Sequence, residues 1–151
     1  MYIASVNTFI GKLWLRANDT HLLQVSFSPL SDKEQSNKIL EQAKAEIIEY
    51  TQGKRQTFSI PVRLTGSSFQ VKVWESIRLI PYGKVWTYKQ LAKYSGKPEA
   101  SRAAGGASHS NPLPLVIPCH RIISSCGDIG GYVAGREIKQ KLLDMEVMAN
   151  I

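Results

Sequence analysis

The chain has 151 residues, of which 43% are hydrophobic and 21% charged, and its net charge is +7. This length fits one domain or two small lobes around a sizeable apolar interior, and the composition excludes disordered, collagen-like and coiled-coil chains. No apolar run approaches the ~20 residues of a membrane span, and the first residues lack the pattern of a signal peptide. We therefore expect a globular protein without a membrane partner.

The positive charge is concentrated in the C-terminal part, with +2 in residues 1–63 and +5 in residues 64–151. Such an excess indicates a polyanionic partner such as DNA or RNA, although a basic surface also serves solubility alone. The two cysteines, Cys119 and Cys126, are too few for a secreted disulfide scaffold. We expect free thiols in a reducing, cytoplasmic setting.

The first part of the chain predicts a small α/β lobe over residues 1–63. Short strands are predicted at residues 2–6, 12–16 and 22–27, followed by a fourth at residues 57–60. Ser31 and Glu34 have the spacing of a capping box before a run of apolar residues at helical period, and Gly53 is the predicted stop. This lobe carries no evident chemistry, so we expect it to support the rest.

Residues 61–66 are predicted to link this lobe to a mainly helical domain over residues 64–151. An apolar stripe from Phe69 to Ile80 predicts one helix, and a second capping box at Thr87 opens another. A third helix is predicted at residues 100–108. Two short helices joined by a Gly-containing turn are typical of a helix-turn-helix motif.

The third predicted helix contains two adjacent glycines, which are unfavourable inside a helix. Gly105 and Gly106 together cost roughly 1–2 kcal/mol of helix propensity relative to alanine. Small side chains let the backbone approach a flat partner closely, but they also suit a tightly packed internal helix. The pattern alone leaves both interpretations open.

A polar triplet interrupts an apolar run at residues 113–123. Cys119 is followed directly by His120 and Arg121, and cationic neighbours lower the pKa of a thiol from its free value of ~8.5. This pattern predicts a reactive thiol. It also fits a cysteine buried as a small apolar residue, or a partial metal site shared with Cys126, although no zinc-type spacing completes the ligand set.

The four residues 118–121, PCHR, resemble the active-site motif of the O6-alkylguanine-DNA alkyltransferases, the Ogt type of methylated-DNA–protein-cysteine methyltransferase. The resemblance runs in order from about Gly66 to Glu146. It includes FQVKVW at 69–74, IPYG at 80–83, TY at 87–88, RAAGGA at 102–107, NP at 111–112, GGY at 130–132 and LLDME at 142–146. PCHR alone is moderately specific, whereas the ordered set is a strong signal.

The resemblance implies a single-turnover DNA repair protein that transfers an alkyl group from O6-alkylguanine in double-stranded DNA to its own cysteine. It implies a monomer that needs no cofactor and no metal. The implied catalytic residues are the nucleophile Cys119, the proton acceptor His120 (through a water), its orienting partner Glu146, the turn-holding Asn111 and the base-protonating Tyr88.

The resemblance also implies that the glycine-containing helix enters the minor groove while the damaged base is flipped out and Arg102 fills its place. The implied DNA-binding residues are Arg102, Ala103, Gly105, Gly106, Thr87 and Lys89. The implied substrate pocket consists of Tyr132, Val133, Ile122 and Pro114. Backbone carbonyls near Cys119 and Ile122 are implied to bind the exocyclic amine of guanine.

One position departs from the family pattern, because Val133 stands where the family commonly has serine. The lost hydroxyl leaves the rate and the tolerance of bulky alkyl groups open. Two other functions compete with repair. One is an alkyltransferase-like sensor that binds alkylguanine without repairing it, and the other is a cysteine hydrolase, for which His109 would be the candidate base.

Overall fold

The computed structural model describes residues 1–31 and 33–149, and the chain separates into two compact units, the first over residues 1–64 and the second from Thr65 onward. The first unit holds a small sheet and a helix, and the second holds four helices with a short strand pair. This arrangement confirms the predicted α/β fold. Within the described residues, no helix is long and apolar enough to cross a membrane.

Three antiparallel strands form the sheet of the first unit, in the order β1 (Tyr2–Thr8), β2 (Gly11–Ala17) and β3 (Leu22–Ser26). The first three predicted strands are confirmed, and the first two of them are longer than expected. Alternation along β2 buries Leu13, Leu15 and Ala17 on one face. That face is the apolar side on which a helix can pack.

The helix of this unit, α1 (Lys38–Thr51), begins later than predicted. Its N-cap is Asn37, whose side chain accepts a hydrogen bond from the Leu40 amide at 3.0 Å. The predicted capping box at Ser31 is therefore wrong: Glu34 instead accepts a hydrogen bond from Ser5 on β1, and Asp32 of that motif lies outside the described residues. The helix ends as predicted, just before Gly53 with a φ of 76°.

The predicted strand at residues 57–60 does not form. The backbone amides of Ser59 and Ile60 donate instead to the buried carboxylate of Glu46 on α1, at 2.9 and 3.1 Å. A carboxylate that accepts several backbone N–H groups satisfies them as well as a neighbouring strand would. These hydrogen bonds to Glu46, which lies 13 and 14 positions earlier in the chain, replace the expected strand pairing.

The second unit is mainly helical. Its helices are α2 (Ser68–Ile77), α3 (Tyr88–Tyr94), α4 (Ser101–His109) and α5 (Arg136–Ala149). The strands β4 (Trp86–Thr87) and β5 (Ile122–Ile123) pair in parallel. Trp74 of α2 is buried and donates from its indole N–H to the Ala107 carbonyl of α4 at 2.8 Å, which fixes these two helices together.

The predicted capping box at Thr87 is confirmed: its hydroxyl accepts from the Gln90 amide, and the Gln90 side chain accepts from the Thr87 amide. The next helix, α4, packs against α3 and begins one residue later than predicted. Gly105 faces Tyr88 so closely that a Cβ would lie 3.3 Å from the tyrosine ring. Gly106 faces open space. The two glycines therefore serve different purposes, one a close contact and the other an unobstructed outer surface.

Candidate active site

Cys119 lies at the end of a turn that Asn111 holds in place. The Asn111 side chain donates to the Ile117 carbonyl at 2.8 Å and accepts from the Leu113 amide at 2.9 Å. Leu115 within this turn has a φ of 75°, a left-handed conformation that costs a leucine roughly 1–2 kcal/mol. The two hydrogen bonds of Asn111 offset this strain. They set the position from which Cys119 begins the short 3₁₀ turn Cys119–Arg121.

The thiol of Cys119 is held in its neutral form. Burial raises its pKa to about 11, and the hydrogen bond with Asn111 and the charge of Lys139 offset only part of that effect. Because a thiol rather than a thiolate is present at neutral pH, attack on an electrophile requires a base that takes the proton.

His120 follows Cys119 in the 3₁₀ turn, and both His120 and Glu146 are fully buried. His120 Nε2 is 2.7 Å from Glu146 Oε2. Burial would raise the pKa of Glu146, but hydrogen bonds from His120 and Arg121 and their charges lower it to about 2. Burial lowers the pKa of His120 despite its carboxylate partner. The pair therefore consists of a carboxylate and a neutral imidazole whose Nε2 carries the proton, so Nδ1 is the basic nitrogen.

Arg121 completes the binding of Glu146, a role that the sequence interpretation missed. Its Nε and Nη2 atoms donate to the two carboxylate oxygens at 2.8 and 2.9 Å, and its Nη1 donates to the Ile80 carbonyl at 2.8 Å. The Gly83 amide also donates to Glu146 Oε1, at 3.1 Å. A buried bidentate pair of this kind fixes both orientation and charge. The signal was available, because an arginine inside an apolar run requires a buried anion.

Lys139 is the second functional candidate that was missed. It lies on the buried face of α5, together with Leu142 and Glu146, and its side chain is fully buried. Its ammonium group donates to the carbonyls of Ile122 and Gly131. Burial lowers its pKa to about 8, an effect that Cys119 opposes when its sulfur is ionised. Its spacing from Leu142 places Lys139 on the same face of α5, but that spacing alone does not predict that a lysine is buried there.

Cys119 and Tyr88 both line a cavity in the second unit. Its lining residues are Tyr88, Ser108, His109, Asn111, Cys119, Gly131, Tyr132 and Val133. Burial and the proximity of Cys119 raise the pKa of Tyr88, so its phenol keeps a proton to donate. Of the four residues expected in the pocket, Tyr132 and Val133 line the cavity. Ile122 and Pro114 are buried outside its lining, and the Ile122 carbonyl binds Lys139.

A second, more open cleft follows α4. Its lining residues are Tyr88, Ser101, Arg102, Gly105, Gly106 and His109. Among the other residues expected to bind DNA, Ala103 is exposed on α4 and Lys89 is exposed on α3. The hydroxyl of Thr87 is engaged in capping α3. Within the described ranges, no cluster of three or more His, Cys, Asp or Glu side chains could hold a metal ion.

We predict that Glu146→Gln removes a pH-dependent part of the stability. Because the pKa of Glu146 falls from 4.5 to about 2 on folding, its contribution is present above about pH 4.5 and is lost as the pH falls towards 2. This shift corresponds to about 3 kcal/mol. Urea unfolding should therefore show a variant that is about 3–5 kcal/mol less stable at pH 7 and less sensitive to acid.

The matched control is Glu137→Gln, which changes an exposed carboxylate at the start of the same helix. Its free energy of unfolding should follow that of the unmodified protein at every pH. An acid sensitivity of Glu146→Gln equal to that of the unmodified protein would contradict the assignment.

Comparison with known proteins gives the same family over both units. The model of the 6-O-methylguanine DNA methyltransferase ribonuclease-like domain matches residues 1–64, and that of the DNA binding domain matches residues 68–148. The methylated-DNA–protein-cysteine methyltransferase of Methanosarcina barkeri is 35% identical, with 97% of each chain covered. The constitutive enzyme of that name from Bacillus subtilis is 37% identical over 97% of this chain and 88% of its own.

Among solved structures, the crystal structure of Mycobacterium tuberculosis OGT in complex with DNA matches with a TM-score of 0.92 and 29% identity, and 99% of this chain and 94% of that one are covered. The match extends through the segments that carry Cys119, His120 and Glu146. On its sequence and its fold, the chain belongs to the 6-O-methylguanine DNA methyltransferase family.

Proposed function

We propose that this protein repairs DNA by direct reversal, moving an alkyl group from O6-alkylguanine onto Cys119. The observation that carries the proposal is a buried cysteine at the end of a cavity, next to a neutral histidine held by a carboxylate. The relatives named as methylated-DNA–protein-cysteine methyltransferases support the same reaction. A thiol so placed favours transfer over the alternative of a sensor that binds without repair.

The reaction is a single displacement at the alkyl carbon. Cys119 Sγ forms a bond to that carbon while the bond to O6 of guanine breaks. The thiol proton passes to Nδ1 of His120, directly or through a water, and Glu146 stabilises the imidazolium that forms. The departing base needs one proton to become guanine, and we propose that it comes from the phenol of Tyr88, which lines the cavity and has a raised pKa. The thioether is stable under mild conditions, so each molecule acts once and no cofactor is consumed.

We infer that the cleft along α4 is the DNA-binding surface and that α3 and α4 act as a helix-turn-helix unit. Arg102, Gly105 and Gly106 line this cleft. Gly106 leaves its outer surface open to a close approach of the minor groove, and Arg102 would occupy the space of the flipped base. The structure of Mycobacterium tuberculosis OGT with DNA supports DNA as the partner. We expect a monomer to suffice, because one chain supplies the whole proposed site.

We predict stoichiometric methylation of Cys119 by a duplex that contains one O6-methylguanine. Intact-mass measurement and peptide mapping should find one added methyl group, on the peptide that contains Cys119. Cys119→Ala should bind the duplex without gaining mass, whereas Cys126→Ala, which changes an exposed thiol, should transfer normally. Methylation of another residue, or binding with no mass change, would reject the proposed reaction.

We predict that Arg102→Ala slows repair of duplex DNA much more than reaction with the free base O6-benzylguanine. Extrusion of a base costs a few kcal/mol, so losing the side chain that fills its place should slow duplex repair by about 10–100-fold. Rapid-quench kinetics with both substrates measures the difference. The control Lys89→Ala, an exposed lysine on α3, should act through salt-dependent binding instead. Equal losses for both substrates in Arg102→Ala would reject its role in flipping.

A further inference from the structure

The cavity at Cys119 and the cleft along α4 have two lining residues in common, Tyr88 and His109. Tyr88 is the first residue of α3, and His109 is the last residue of α4. The two side chains therefore lie where the cleft and the cavity adjoin. The proposed alkyl transfer uses Tyr88 but not His109.

His109 is exposed, but one side of its imidazole ring contacts a neighbouring loop. Its ring lies against Gly131, so that a Cβ at Gly131 would be 3.3 Å from the imidazole Cε1 atom. The Gly131 carbonyl in turn accepts a hydrogen bond from Lys139 at 3.2 Å. The absence of a side chain at Gly131 thus makes room for the imidazole beside the loop that carries Tyr132.

In the proposed reaction, a flipped nucleotide and its neighbours occupy the cavity at Cys119 and the cleft along α4 at the same time. If its base reaches Cys119 while the neighbouring nucleotides lie along α4, its sugar and phosphate cross between Tyr88 and His109. The carbonyl end of α4 repels an anion, so a phosphate at this point needs a donor to offset that repulsion. An imidazole N–H at the last residue of the helix supplies one.

We propose that His109 binds the backbone phosphate of the extruded nucleotide and so distinguishes a damaged base within a strand from the free base. This inference rests on the proposed alkyl transfer and adds a specificity-determining contact to it. His109 differs from Arg102 in one respect: the phosphate is present in single strands as well as in duplexes. The contact therefore acts on both DNA forms, whereas Arg102 acts on duplex DNA alone.

The test compares His109→Ala with the unmodified protein on three substrates, namely O6-methylguanine in a single strand, the same lesion in a duplex, and free O6-benzylguanine. One hydrogen bond to a charged group corresponds to about a tenfold change in rate. Both DNA substrates should therefore lose about tenfold more rate than the free base does. His21→Ala, a histidine of the first unit, is the matched control and should react like the unmodified protein.

A second measurement identifies the phosphate. A neutral methylphosphonate on one side of the lesion should slow the unmodified protein about tenfold and leave the rate of His109→Ala nearly unchanged. Equal slowing of both proteins by methylphosphonates on either side, or an equal loss of rate for all three substrates, would overturn the role of His109. If the unmodified protein never methylates Cys119, the proposed function fails instead, and that outcome is separate from either result for His109.

Discussion

Four hydrogen bonds converge on the carboxylate of Glu146, and the geometry around the reactive cysteine depends on them. Two come from Arg121, one from His120 and one from the Gly83 amide, so one side chain of α5 holds the 3₁₀ turn and the turn after α2 together. The same four donors keep the carboxylate ionised in a buried place, since an uncompensated charge there would cost several kcal/mol. Glu146 thus stabilises the local fold and also determines which nitrogen of His120 carries the proton.

Burial raises the pKa of the Cys119 thiol and so keeps the proposed nucleophile protonated. A pKa of about 11 leaves Cys119 protonated at neutral pH, and we propose that the neutral His120, the next residue in the chain, takes the thiol proton. Lys139 adds a buried positive charge that favours the thiolate as it forms. A protein that reacts only once benefits from this arrangement, because a resting thiol resists wasteful reactions while a bound substrate finds the proton acceptor in place.

Sequence alone predicted the α/β fold, the three strands of the first sheet and the Thr87 cap, because those follow from local patterns of polarity and hydrogen-bonding side chains. It did not predict what depends on contacts between distant residues. Glu46 replaces an expected strand by binding amides 13 and 14 positions away, and a helix expected to start at Ser31 starts after Asn37. In the site, the family resemblance predicted Glu146 as the partner of His120. The burial of Lys139 became evident only from the structure, because helical spacing places a residue on one face of a helix without showing whether that face can bury a lysine.

Burial holds His120 as a neutral imidazole, and the ionised Glu146 keeps the proton of that imidazole on Nε2. Nitrogen-15 NMR of histidine-labelled protein tests this claim most directly, because the ring-nitrogen shifts report the tautomer and the chain has only three histidines to assign. We expect His120 to show a protonated Nε2 and an unprotonated Nδ1 throughout pH 6–8, with the pattern altered in Glu146→Gln. An imidazolium at pH 7, or a proton on Nδ1 in place of Nε2, would contradict the account.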